Sequence, residues 1–143
     1  MVEGELLPIG LDSGTTKIFS SVCENFATSD GRVGAALGAL VARWNEEANG
    51  GDHKAIPECL RFGHWPQDKN RWRDPKPDHH PRHVYPILSE ANGLRIGQNL
   101  RVNWVCRFLA TAANGTGFTV FKCAAKRVRP LEAALFMVGY AVR

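Results

Sequence analysis

Apolar positions follow two regimes along this chain, helical in the first half and alternating after residue 100. Ile18, Phe19, Val22, Cys23 and Phe26 recur at helical spacing after Ser13, a residue suited to a helix N-terminus. Ser29-Asp30-Gly31 ends that segment and caps the next. Val33, Leu37, Leu40, Val41 and Trp44 then fall on one face of a second helix, which Asn49-Gly50-Gly51 stops. Gly34, Ala35, Gly38 and Ala39 leave part of that helix without bulk, so another element approaches closely there. A short third helix is expected from about Ala55 to Phe62, with Pro57 tolerated in its first turn.

Beyond residue 86 the pattern predicts antiparallel sheet. Leu100, Val102, Trp104, Cys106, Phe108 and Ala110 form an apolar face at period two, while Arg101, Asn103 and Arg107 point the other way. Asn114-Gly115 is a hairpin signal. A two-residue turn there sets Phe108 opposite Phe121, Cys106 opposite Cys123, Arg107 opposite Lys122 and Asn103 opposite Lys126. Like charges side by side destabilise a hairpin unless something anionic meets them. His83 to Leu88 reads as a short strand that Pro86 confines to a sheet edge. Leu131 to Val142 is ambiguous: Pro130 with Glu132 opens a helix, while Phe136 to Val142 suits a buried strand.

The expected fold class is therefore α+β, in a single domain over residues 1–143. Residues 1–62 are mainly helical, as two or three helices. Residues 63–86 are irregular, and residues 87–143 form a small antiparallel sheet on which the helices pack.

The joining segment concentrates unusual chemistry. His64 to Pro86 holds four of the five histidines, two of the four tryptophans, five of the eight prolines and five Lys/Arg. So many prolines oppose a regular helix or central strand. Trp65, Trp72 and Tyr85 interleave with Lys69, Arg71, Arg73, Lys76 and Arg82. Aromatics that stack bases beside cations that meet phosphates typify single-strand binding surfaces. The same residue types also dominate protein–protein hot spots.

Charge sharpens this reading. Residues 1–62 carry five Lys/Arg against nine Asp/Glu, and residues 63–143 carry thirteen against five, so the halves have net charges of −4 and +8. A basic face of that kind steers a protein toward nucleic acid or an acidic protein. The longest apolar run, Val33 to Ala42, is too short for a membrane span, and the acidic N-terminus lacks a secretory n-region. No membrane association is expected, and the expected compartment is cytoplasm, the host's if the chain is virus-encoded.

Catalytic and metal chemistry is less well supplied. His79 and His83 share a face only on a helix, which Pro77 and Pro81 oppose, and no Cys lies at ligand spacing, so no metal or cofactor is expected. His79 or His80 with Asn92 and Asn99-Leu100-Arg101 resembles the HNH endonuclease core in outline. The spacing is loose and Asn99 is expected to open a strand, so membership does not follow. A metal-free ribonuclease needs a group titrating near neutrality and fixed cations. His79, His80, His83 and Glu90, with Arg71, Arg73 and Arg82, supply those groups. Cys23 is expected as a buried thiol, and Cys106 and Cys123 as reduced core neighbours.

The leading expectation is a non-enzymatic binding protein with a basic, aromatic-rich surface for nucleic acid or an acidic protein. Its binding residues are Trp65, Arg71, Trp72, Arg73, Lys76, Arg82, Arg101, Arg107, Lys122 and Lys126. A small His-dependent nuclease is one alternative. Another is a structural subunit of a virion or other assembly, self-associating through the Gly/Ala face of the second helix or through Leu135 to Val142.

Overall fold

The computed structural model describes residues 13–51, 54–65, 75, 85–88, 92–113, 124–140 and 142. Four α-helices are present among them: α1 (Ser13–Val22), α2 (Gly31–Ala48), α3 (Asn92–Ala112) and α4 (Ala124–Val138).

The punctuation of the first half follows local chemistry. The Asp30 carboxylate accepts hydrogen bonds from the Arg32 and Val33 amides (2.9 and 3.0 Å), capping α2. Asn49 closes α2, and Gly50 (φ 62°) and Gly51 (φ 88°) turn the chain away in the left-handed region. The third helix expected over Ala55 to Phe62 is instead one 3-10 turn, Glu58–Leu60, with Pro57 just before it.

The small face of α2 is filled by the irregular segment. A Cβ at Gly31 would overlap the Trp65 ring, one at Gly34 the Gly63 carbonyl, and one at Gly38 would crowd Pro75 and Tyr85. The Tyr85 hydroxyl donates to the Gly38 carbonyl at 2.8 Å. This close approach is the one the small residues imply. It also covers, from within the chain, one of the two surfaces through which self-association is expected; in the other, Met137 and Val138 stay exposed.

The C-terminal sheet is a correction. Residues 100–110 lie inside the 21-residue α3, and α4 runs 15 residues. The described residues contain no strand; extended pairing is confined to a parallel bridge between His64 and Ile87. There the His64 amide donates to the Pro86 carbonyl (3.1 Å) and the Leu88 amide to the His64 carbonyl (2.8 Å). The fold is thus helical among the described residues, not α+β. Periods of two and 3.6 share the i, i+4 relation, so Val102, Cys106 and Ala110 satisfy both. What separates them is Asn103, which a strand would have turned to the polar side. It is buried with the apolar residues.

The hairpin register falls with the strand. Phe108, Arg107, Cys106 and Asn103 are helical, so none pairs in a ladder, and residues 114–123 lie outside the described part. The ambiguous C-terminal stretch is helical to Val138. It continues through Pro130, which supplies no amide hydrogen to the carbonyl of the exposed Lys126.

α4 packs against both α2 and α3. Their shared core contains Val33, Ala36 and Leu37 of α2, Val102, Cys106 and Ala110 of α3, and Val128 and Leu135 of α4, closed by Ala27 and Phe62. At the far end of α4, Gly139 sits against the Arg32 backbone, where a Cβ would overlap the carbonyl. The Arg32 guanidinium lies over Phe136 (4.4 Å) and Tyr140 (5.3 Å).

Candidate binding surface

The organisation of α3 defines the site. One face is turned inward, and its amides hold the non-helical segments in place. Gln98 Nε2 donates to the Gly63 carbonyl (2.7 Å) while its Oε1 accepts from the Gly63 amide (2.5 Å). Asn103 treats Ala27 the same way: Nδ2 donates to the carbonyl (3.1 Å) and Oδ1 accepts from the amide (2.7 Å). Each side chain satisfies both polar groups of a buried residue that no strand or helix serves. Asn99, Val102, Cys106 and Ala110 complete this inner face.

The opposite face is exposed and apolar. Ile96, Leu100, Trp104 and Phe108 are 37, 50, 68 and 72% exposed, four successive rungs at i, i+4 spacing. At 100° per residue, Arg107 lies on one flank of this ridge and Arg101 on the other. No Asp or Glu occurs anywhere in Asn92–Ala112. The described ion pairs, Arg43–Glu47 and Arg129–Glu132, involve neither flanking arginine. Arg101 Nη1 touches the Glu58 carbonyl at 3.3 Å. Arg107 is fully on the outer side and exposed. The face therefore offers aromatic and aliphatic contact area with positive charge that nothing in α3 offsets.

The other expected residues divide into three groups. Trp65 is half-buried, its ring lying against Gly31, so it serves the fold at least in part. Lys126 is exposed on α4, where it lines an open cleft of about 460 Å³ with Ser20, Ser21, Val22, Cys23, Glu24, Arg129 and Pro130. It does not stand beside Asn103 on a common face, because Asn103 is buried against Ala27. Arg71, Trp72, Arg73, Lys76, Arg82, Lys122, His79, His80, His83 and Glu90 lie outside the described residues.

Several expectations about single residues change. α1 buries Thr16 and Ser20 and exposes Ile18, Phe19 and Val22, the reverse of the apolar stripe its spacing suggests. The Thr28 hydroxyl donates to Ser20 Oγ at 2.9 Å and makes that polar burial tenable. Cys23 is accordingly an exposed free thiol, not a buried one. Cys106 is buried, and desolvation, aided by nearby Glu132, pushes its thiol up to about 12. His64 is 4% exposed, out of reach of a bulky substrate. Asn99 is helical after all, yet 3% exposed, with its Oδ1 accepting from Asn103 Nδ2 at 3.2 Å. Among the described residues, no group of three or more His, Cys, Asp or Glu converges as metal ligands do.

Alternation predicts a strand whose apolar face carries Leu100, Trp104 and Phe108 together with Val102, Cys106 and Ala110, so the exposed ridge is not visible at period two. The signal was present, because the run also contains three i, i+4 series, Ile96/Leu100/Trp104/Phe108 on one side and Asn99/Asn103 beside Val102/Cys106/Ala110 on the other. A helix with apolar residues on both sides has a second surface to cover. No protein-family model, no curated protein and no solved structure matches this chain.

Proposed function

We propose that this is a non-enzymatic binding protein that presents a basic, aromatic-rich surface to an anionic partner, nucleic acid or an acidic protein. The observation that carries the reading is the outer face of α3, with Trp104 and Phe108 mostly exposed between Arg101 and Arg107. Aromatic side chains bury ~150–250 Å² each, so this ridge exposes on the order of 500 Å² of contiguous apolar surface. Patches of that size on a monomer are commonly interaction sites. Trp and Arg, moreover, are the residues most enriched among hot spots. The net charge of +8 over residues 63–143 favours an anionic partner at long range.

Among the described residues no helix is long and apolar enough to cross a membrane. We place the protein in cytoplasm, the host's if it is virus-encoded, in keeping with the free thiols of Cys23, Cys59 and Cys106. Assembly through the small face of α2 is weakened by its internal covering, whereas Met137, Val138 and Tyr140 of the C-terminal stretch stay exposed.

A mobility-shift titration with labelled single-stranded RNA, duplex DNA and poly-L-glutamate at two salt concentrations tests the proposal. At least one probe should shift in a salt-sensitive manner, and Arg101→Glu with Arg107→Glu should remove the shift. Intact, unshifted probes at micromolar protein contradict it, and shortened nucleic acid would make the protein a nuclease.

A further inference from the structure

We infer that the occupant of the α3 face is an acidic amphipathic α-helix of a partner protein, laid along the Ile96–Leu100–Trp104–Phe108 ridge. This rests on the reading of that face as the binding surface and names what it binds. Ridges of the i±4n type are the element that interdigitates with the grooves of a second helix. Four rungs span about 18 Å, matching roughly three turns of a partner. Because Arg107 and Arg101 flank the ridge on opposite sides, the partner is a helix whose apolar stripe carries Asp or Glu on both borders.

Charge and shape disfavour other occupants. Proteins that hold nucleic acid electrostatically make roughly 6–10 phosphate contacts, and two guanidiniums supply few of these. Ile96 and Leu100 also present no plane on which a base stacks. An anionic bilayer is gripped by clusters of roughly four to eight basic residues, again more than this face carries. A two-fold contact between copies would gather four guanidiniums without a carboxylate from either α3.

The test is fluorescence anisotropy with a labelled peptide of about 18 residues, Leu on one stripe and Glu on both borders. A scrambled peptide of equal composition, a single-stranded oligouridine and phosphatidylserine vesicles serve as competing probes. Trp104→Ala and Arg107→Glu are compared with Lys54→Glu, an exposed position whose carbonyl is held by Asn45 of α2, and each variant's melting temperature confirms its fold. The patterned peptide should bind at least about tenfold more tightly than the scrambled one. Trp104→Ala and Arg107→Glu should each cost about tenfold or more, and Lys54→Glu should not. Equal binding of both peptides, or loss on Lys54→Glu, overturns the inference. So does oligouridine or vesicle binding through Trp104 without peptide binding, although the surface reading then survives. Self-association abolished by Trp104→Ala would assign the face to a second copy and overturn it too. Failure of every probe overturns both.

Discussion

Gln98 and Asn103 each replace a stretch of sheet with one side chain. Each offers a donor and an acceptor to a single buried residue, Gly63 and Ala27 respectively. Removing such a partner leaves buried groups unpaired at about 1–3 kcal/mol each. With two groups of Ala27 left unpaired, Asn103→Ala should therefore destabilise the protein by about 2–6 kcal/mol. A denaturant midpoint unchanged by the substitution would mean Ala27 finds other partners. Cys106 gives a pH-dependent counterpart. Its thiol lies up at about 12, against an ordinary 9.0, because burial penalises the thiolate. The folded state keeps a proton that the unfolded chain gives up, so this contribution is whole below about pH 9 and is lost as pH rises toward 12. Between those limits the wild type should lose stability faster than Cys106→Ala, and parallel curves would refute the assignment. Thiol alkylation at neutral pH should likewise modify Cys23 and Cys59 while Cys106 reacts only on unfolding. None of these burials follows from spacing alone. Cys23 and Cys106 both lie on apolar series, and only tertiary packing sends one out and the other in.

At the scale of elements, what was readable was punctuation. Asp30 and Asn49-Gly50-Gly51 mark the ends of α2 because a carboxylate meeting free amides and a glycine at positive φ are local events. The identity of α3 was not readable the same way. Its alternation of apolar and polar residues fits a strand as well as a two-faced helix, and Asn114-Gly115 reinforced the wrong choice. Two glycine substitutions discriminate these accounts. Gly97 sits inside α3 with open space where a Cβ would go, so Gly97→Ala should stabilise by about 0.5–1 kcal/mol. Gly34→Ala, made in an equally good helix position, should destabilise by about 1–3 kcal/mol because its Cβ meets the Gly63 carbonyl. Thermal melts of the two variants shifting in the same direction would contradict the helix packing described.

For the whole molecule, the basic, aromatic character of the second half was legible from charge and composition, and the share of it that α3 exposes was not. Sequence reasoning put most of that character in residues 64–86, where only His64, Trp65, Pro75, Tyr85 and Pro86 are described. His64, Trp65, Pro75, Tyr85 and Pro86 are all buried or half-buried, and they serve the packing of α2 and the His64–Ile87 bridge. The two most exposed aromatics among the described residues lie on α3, because burying Gln98, Asn103 and Cys106 on one side leaves Trp104 and Phe108 on the other. The same partition means that replacing both aromatics with Ser should leave the melting temperature nearly unchanged, as surface substitutions do. A fall of several degrees would place them in the core instead. The most direct measurement is an amide NMR titration of the intact protein with the anionic probe that binds, poly-L-glutamate or single-stranded RNA. The account predicts chemical-shift changes concentrated at Ile96, Leu100, Arg101, Trp104, Arg107 and Phe108. Changes centred instead on the cleft of Lys126 and Arg129, or none with either probe, would contradict it.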